Sequence, residues 1–309
     1  MLAIETTQLV RAFGAVRAVD GLDLAIGAGQ IYGLIGPDGA GKTTTLRLLC
    51  GALRPDGGTA RIAGVDVRTN PEGVRRQIGY MPQRFSLYGD LTVRENLQFF
   101  ADAYDVPRDQ QAGLMARLLD FSRLASFQNR RAEALSGGMK QKLALACTLI
   151  HKPALLLLDE PTTGVDPVAR REFWDILRDA VREDGVTVLV STPYMDEADR
   201  CHRVGFMRAG RLMASGTPRE LQRLVPGVVL EINATPRRPA ELALRALPGA
   251  RDVQVLGDRL HLLADTPTDT ATLAAALASV GATLHTSRLV APTMENVFMF
   301  LQKSASDTP

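Results

Sequence analysis

The chain has 309 residues, 46% of them hydrophobic and 23% charged, with a formal net charge of +2. That length allows a sizeable core and about two domains, or one large domain with an appendage, and the scatter of arginines among carboxylates gives no case for nucleic-acid binding. No stretch reaches the roughly 20 apolar residues of a membrane-spanning helix, and Met1-Leu2-Ala3-Ile4-Glu5 lacks the basic-then-apolar plan of a signal peptide. Cys50, Cys147 and Cys201 form no CxxC pair and read as reduced thiols, so the expected location is cytoplasmic.

Residues 2 to 30 alternate short apolar runs with turns and read as strands. Phe13, between Arg11 and Gly14, offers a π-face on which a base could stack, and a packing role is an equal reading. The apolar run Ile31 to Ile35 leads into Gly36-Pro37-Asp38-Gly39-Ala40-Gly41-Lys42-Thr43-Thr44, and a helix is expected from Thr45 to Leu53. The glycines let backbone N–H groups turn toward phosphate oxygens, Lys42 supplies a point charge, and the Thr43 hydroxyl can ligate Mg²⁺. The helix adds the positive end of its dipole. Strand before and helix after is the context of a nucleotide-binding loop.

Thr59 to Val67 reads as strand and turn, and Ile78 to Gln83 as a buried strand ending on a polar residue. Gln83 can donate or accept, which suits contact with both a metal-bound water and a moving neighbour. Thr92-Val93-Arg94-Glu95 is a capping-box pattern opening a helix, and a second amphipathic segment runs from about Gln110 to Leu124. Residues 87–135 therefore read as a helical subdomain inserted between strands of the core. Ser136 then caps a helix with Met139, Leu143, Cys147 and Ile150 at helical spacing. With Gly137 and Gly138 at its start, that helix makes a second anion-type site, and His151 at its end reads as a C-terminal cap.

Leu155 to Glu160 is a greasy strand that delivers two acids at its C-terminal end, the edge where parallel sheets bind ligands. Asp159 can hold Mg²⁺, and Glu160 can orient and deprotonate an attacking water. A helix from Val168 to about Glu183 and a strand from Val186 to Val190 follow. Thr192 as N-cap with Pro193 at the first helical position predicts another helix start, and Val204 to Met213 a closing hairpin.

Taken together these motifs resemble the ATP-binding subunits of ABC transporters, over residues 2 to about 225. The resemblance implies an α/β P-loop ABC-type ATPase core. It casts Gly36 to Thr44 as Walker A, Leu155 to Glu160 as Walker B with the catalytic glutamate, and Leu135 to Gln141 as the ABC signature. Gln83 takes the place of the Q-loop, Thr163 to Asp166 of the D-loop, and Phe13 of the adenine-stacking aromatic. It also implies ATP and Mg²⁺ as ligands and head-to-tail pairing with a second ABC ATPase domain. In that pairing Ser136, Gly137 and Gly138 of one domain cap the γ-phosphate on the Lys42 loop of the other. Transmembrane permease subunits are the implied partners, meeting the surface around Arg84 to Phe100 and holding the chain at the inner face of the cell membrane. One position departs: Pro193 stands where the family has a histidine, and it has neither an imidazole nor a backbone N–H. Slow hydrolysis is expected there. The function implied is the ATP-hydrolysing subunit of an exporter. Its rivals are a nucleotide-dependent switch with little hydrolysis, and a soluble ABC ATPase acting on nucleic acid or ribosomes.

Residues 226–309 change in composition. A strand at Val228 to Ile232, a helix at Pro239 to Ala246, a hairpin through Gly257-Asp258, a helix at Thr270 to Ser279 and a strand at Thr283 to Arg288 make a βαββαβ order. That order favours a small split-βαβ α+β accessory domain; no chemistry is read in it, and a regulatory or dimer-stabilising role is the expectation. A helix at Thr293 to Gln302 follows, Ser304 to Pro309 reads as frayed, and His261 and His285 read as packing or surface residues. The segment Pro292 to Phe298 resembles the tail of the drug-, antibiotic- and polysaccharide-exporting branch.

Overall fold

In this computed structural model residues 1–84 and 87–306 are described. β1 (Leu2–Phe13) and β2 (Val16–Gly27) form an antiparallel hairpin. Along β2, Leu22, Leu24 and Ile26 are buried while Asp23 and Ala25 are exposed, the alternation of a sheet with one wet face. β3 (Ile31–Ile35) enters a second sheet and α1 (Lys42–Leu49) follows it, before β4 (Gly57–Ile62) and β5 (Val65–Asp66) complete the antiparallel sheet in the order β2-β1-β4-β5. α2 (Pro71–Arg75) is a helix the sequence reading did not contain; Asn70 Oδ1 accepts from Gly73 N and Pro71 opens it.

β6 (Ile78–Met81) precedes the helices α3 (Val93–Ala103) and α4 (Arg108–Phe121). Both halves of the Thr92–Glu95 capping box that opens α3 form. α5 (Gly137–Leu149), β7 (Leu155–Asp159), α6 (Pro167–Asp184), β8 (Thr187–Thr192), β9 (Arg203–Arg208) and β10 (Arg211–Gly216) follow. The second sheet runs β10-β9-β3-β8-β7-β6, with β9, β3, β8, β7 and β6 parallel. Every residue of β3, β7 and β8 is buried, as in a sheet covered on both faces. Leu46, Leu48 and Leu49 of α1 join Ile4, Leu22 and Ile26 of the antiparallel sheet and Leu34, Leu157 and Leu189 of the parallel one in a single core. This places the loop between β3 and α1 at the C-terminal edge of the parallel strands, where β7 and β8 also end.

Several local expectations are corrected. α1 starts at Lys42, not Thr45, and stops at Leu49, where Cys50 caps it and Gly51 turns away at φ +68°. No helix begins at Pro193: Thr192 is still paired with Ile35, its Oγ1 accepts from Tyr194 N at 3.0 Å, and a 3₁₀ turn spans Met195–Arg200. His151 does not cap α5. Its Nε2 meets Ile78 O at 3.0 Å and its ring stacks on Tyr104 at 3.9 Å, and burial holds its pKa below the usual value.

Contacts divide the chain into Met1–Ser215 and Gly216–Pro309, earlier than the boundary expected at 225. The second unit holds α7 (Pro218–Gln222), β11 (Val228–Thr235), α8 (Arg237–Arg245), β12 (Ala250–Leu256), β13 (Arg259–Ala264), α9 (Thr270–Ala278), β14 (Thr283–Val290) and α10 (Met294–Ser306). Its antiparallel sheet, β12-β13-β11-β14, has the split βαββαβ order. Leu230, Ile232, Leu260 and Leu262 pack against Leu244 of α8 and Leu273 and Leu277 of α9. On α10, Asn296 donates from Nδ2 to Gln254 Oε1 at 2.6 Å, and its Oδ1 is hydrogen-bonded to His261 Nδ1 at 3.0 Å. His261 is thus a buried tie to α10, whereas His285 is exposed and bonded to Thr235 Oγ1. Of the tail expected to fray, α10 continues to Ser306 and 307–309 lie outside the described residues; so do 85 and 86 in the expected permease surface. Among the described residues no helix is long and apolar enough to cross a membrane.

Candidate functional site

The turn between β3 and α1 requires glycine at two points. A Cβ on Gly36 would lie 2.1 Å from Met207 O; Gly41 has φ +102°, and a Cβ there would lie 2.1 Å from Ala18 O. Lys42, only 4% exposed, folds back on this loop, with Nζ donating to Gly36 O at 2.8 Å and Pro37 O at 3.0 Å. The same ammonium is 3.5 Å from Glu160 Oε1.

The acids arrive on β7. Asp159 Oδ1 accepts from Thr43 Oγ1 at 2.9 Å and from Ser191 Oγ at 2.7 Å, while its Oδ2 is buried with no hydrogen-bond partner among the described residues. An unpaired buried carboxyl oxygen beside a hydroxyl on the loop fits a hard divalent cation, which takes oxygen ligands. Among the described residues no group of three His, Cys, Asp or Glu could hold a metal, so such an ion would need further oxygens from a ligand. Glu160 follows at φ +49°. A side chain in that left-handed region costs on the order of 1–3 kcal/mol and persists only where its surroundings fix it. Here Glu160 N donates to Ser191 O and Ser191 Oγ, both at 3.1 Å, and Glu160 Oε2 accepts from Gln83 Nε2 at 3.0 Å. Beside them burial, with Asp159 second, pushes the Tyr80 hydroxyl up to about 12, so the phenol stays neutral next to the acids.

Beside these groups lies a cleft of about 750 Å³ lined by Asp38 to Thr44, Gln83 and Glu160, together with Val16, Arg17, Ala18 and Ala209; Asp159 is not in the lining and reaches it through Thr43. Gly36 and Pro37 are not in the lining; their carbonyls seat Lys42. Phe13 is not in the lining either. It is 48% exposed, with the Arg11 guanidinium 4.8 Å from its ring centre, and it pairs across the hairpin with Val16, which does line the cleft. The sequence reading missed Val16, Arg17 and Ala18, for which the Phe13 hairpin was the available signal. It also missed Ser191, the polar residue near the end of an apolar strand that links both acids.

The sequence model of the ABC transporter family matches residues 19–163. The chain is 46% identical over 219 residues to the probable multidrug ABC transporter ATP-binding protein YbhF of Escherichia coli, covering 71% of this chain and 38% of that protein. It is 44% identical over 250 residues to the daunorubicin/doxorubicin resistance ATP-binding protein DrrA of Streptomyces peucetius, covering 79% of this chain and 75% of that one. The chain belongs to the ABC transporter ATP-binding family. It spans 38% of the length of YbhF and three quarters of that of DrrA. Among solved structures, the dimeric post-hydrolysis ATP-binding cassette MJ0796 bound to ADP and Pi matches with TM-score 0.62 at 25% identity, over 69% of this chain and 98% of that one.

The helix start at Ser136 is built differently from the cleft. Ser136 caps α5 by accepting from Met139 N at 3.3 Å, and neither it nor Gly137 nor Gly138 lines the cleft of its own chain. Gly137 is exposed, with nothing within 4 Å of a Cβ, so the helix start is open to an approaching group. Gly138 is buried, and a Cβ on it would lie 2.4 Å from Ala169 Cβ of α6. Its glycine therefore serves packing. Gly138→Ala is expected to destabilise the fold by about 1–3 kcal/mol through overpacking, while Gly137→Ala stays within about 1 kcal/mol of the parent; urea unfolding compares the two.

Proposed function

We propose that the chain is the ATP-binding and ATP-hydrolysing subunit of an ABC exporter that drives separate transmembrane permease subunits. The observation that carries this reading is the convergence of Lys42, Thr43, Gln83 and Glu160 on one cleft at the C-terminal edge of a parallel sheet, with Asp159 behind Thr43 and bonded to its hydroxyl. The phosphates of ATP lie against the amides of Gly36 to Thr44, and Lys42 exchanges its two loop carbonyls for phosphate oxygens. Thr43 Oγ1 and Asp159 would hold Mg²⁺, with the unpaired Asp159 Oδ2 as a free ligand oxygen, and the ion would supply charge neutralisation on the phosphates. Gln83, which donates from Nε2 to Glu160 Oε2, would reach a metal-bound water, and Glu160 takes the proton of the attacking water. The base rests near the β1–β2 hairpin, against Val16 and its neighbour Phe13.

Ser136, Gly137 and Gly138 act on the site of a second ABC ATPase domain. The helix start, open at Ser136 and Gly137 and set apart from the cleft of the same chain, supports this, as does the dimeric state of MJ0796. Closure around ATP and opening after its hydrolysis give two states that permease subunits can convert into alternating access. The chain is then peripheral to the inner face of the membrane. The multidrug-transporter description of YbhF and the drug-resistance description of DrrA support the exporter branch. The unit Gly216–Pro309 has a regulatory or dimer-stabilising role in this reading.

Purified with its permease, the chain is expected to turn over MgATP. A complex that binds MgATP but releases no phosphate overturns the hydrolytic reading, and failure to co-purify with any transmembrane protein overturns the exporter. Pro193 sets the rate in this account. Pro193→His is expected to raise kcat by about tenfold or more by restoring one donor toward the γ-phosphate; a brisk parent rate that histidine does not raise removes the idea of a slow site.

A further inference from the structure

Glu197 is fully buried, and nothing in the hydrolytic account uses it. Its Oε1 accepts from Thr162 Oγ1 at 2.6 Å and lies 3.8 Å from Arg170 Nε. Glu197 Oε2 and Arg170 Nε are both buried without a hydrogen-bond partner among the described residues. A half-satisfied acid in a protein interior is costly to retain, and its surroundings indicate what it retains it for.

We propose that Glu197 is a positioning residue for ATP hydrolysis, holding through Thr162 the backbone turn that aims Glu160. The inference rests on Glu160 being the general base. Glu160 begins a turn in the left-handed region: Thr163 N donates to Glu160 O at 3.2 Å, and Val165 N to Thr162 O at 3.1 Å. Upstream, the turn is fixed by the two bonds from Glu160 N to Ser191. Downstream, the side-chain anchor is the Thr162 hydroxyl, 1% exposed as a residue, and Glu197 receives it. A strained backbone needs restraint on both sides, since with one side free it relaxes toward a commoner conformation. Relaxation there would swing the Glu160 carboxyl away from Gln83 Nε2.

The anchor is itself held from a second direction. Glu197 lies on the 3₁₀ turn Met195–Arg200 that follows Pro193. Arg170, one turn into α6, sits 4.4 Å from the Tyr194 ring centre and 3.6 Å from Asp196. Asp166, at the end of the Glu160 loop, caps the same helix by accepting from Val168 N and Ala169 N. The loop carrying the base, the start of α6 and the segment after Pro193 therefore meet at Glu197. Glu197 does not line the cleft, so its effect on the reaction is indirect, and its hydrogen bond to Thr162 is the direct link to the loop that carries the base.

The test uses the full chain in complex with its permease and reads kcat and MgATP affinity separately. Thr162→Val, which keeps the shape and removes the hydroxyl, and Glu197→Ala are each expected to lower kcat by about tenfold with affinity held within about twofold. The double variant is expected to be no slower than the slower single, because both changes break one link. Thr162→Ser is expected to recover most of the rate lost in Thr162→Val. Additive losses, a parallel fall in affinity, or Thr162→Val at the parent rate overturn the proposal, and Thr162→Val keeps it testable if Glu197→Ala does not fold. A parent complex with no turnover instead overturns the hydrolytic reading on which it rests.

Discussion

Replacing Glu160 with glutamine is expected to lower ATP turnover by ~10²–10⁴-fold, the range for loss of a positioned general base. MgATP affinity is expected to stay within about threefold of the parent. The substitution is nearly isosteric and removes basicity. Glu160 is 8% exposed, so no bulk water replaces its carboxyl as proton acceptor in the same place. The backbone bonds from Glu160 N to Ser191 do not involve the side chain, so the left-handed turn survives the change. What changes is the contact with Gln83 Nε2 at 3.0 Å and with the Lys42 ammonium at 3.5 Å. A neutral amide leaves Lys42 with its two loop carbonyls, the partners it exchanges for phosphate, and binding is therefore preserved. Phosphate release under saturating MgATP, with equilibrium nucleotide binding alongside, separates the two effects. Turnover within a few-fold of the parent would remove Glu160 from the base's role and move attention to water ordered by Gln83 alone.

What the sequence disclosed and what it hid follow a physical division. β3, β7 and β8 were legible because strands buried on both faces are continuous apolar runs, and the residues at their ends could only be site residues or solvated acids. The starts of α3 and α5 were legible because Thr92 and Ser136 satisfy orphan N–H groups in a fixed local pattern. Where the outcome depended on a distant partner, the reading failed. Thr192-Pro193 has the local pattern of a helix start, but pairing of Thr192 with Ile35 keeps it in the sheet. Gly138 reads as a glycine of the second anion-type site, and only the position of Ala169 on α6 shows that packing also demands glycine there. Ser191 joins Asp159 and Glu160 from a neighbouring strand, at a spacing no motif records. Glu197 belongs to no motif in the sequence, and only the fold turns it inward onto Thr162.

Gly41→Ala is expected to weaken MgATP binding by about 100-fold, a loss of roughly 2.7 kcal/mol, and to destabilise the unit Met1–Ser215 by about 2–4 kcal/mol. The reason is geometric. Gly41 has φ +102°, outside the small left-handed well that other residues occupy, so alanine is strained before any contact is counted. Its Cβ would also meet Ala18 O at 2.1 Å and Met207 Cε at 2.9 Å. The methionine tip can move, but the carbonyl belongs to β2 and is held by its place in the sheet. Nearby, Asp20 N donates to Gly210 O and Gly210 N to Ala40 O, so retreat of β2 would disturb the loop it is meant to relieve. The loop must therefore give way, and with it the start of α1, where Lys42 and Thr43 stand. Gly39→Ala is the control. Its φ of +77° also disfavours a side chain, but nothing lies within 4 Å of a Cβ there, so only backbone strain of about 1–2 kcal/mol is expected. Binding isotherms and urea unfolding of both variants distinguish steric closure of the phosphate loop from strain alone. If Gly41→Ala binds MgATP as tightly as the parent, the phosphates are not held by the backbone of this turn.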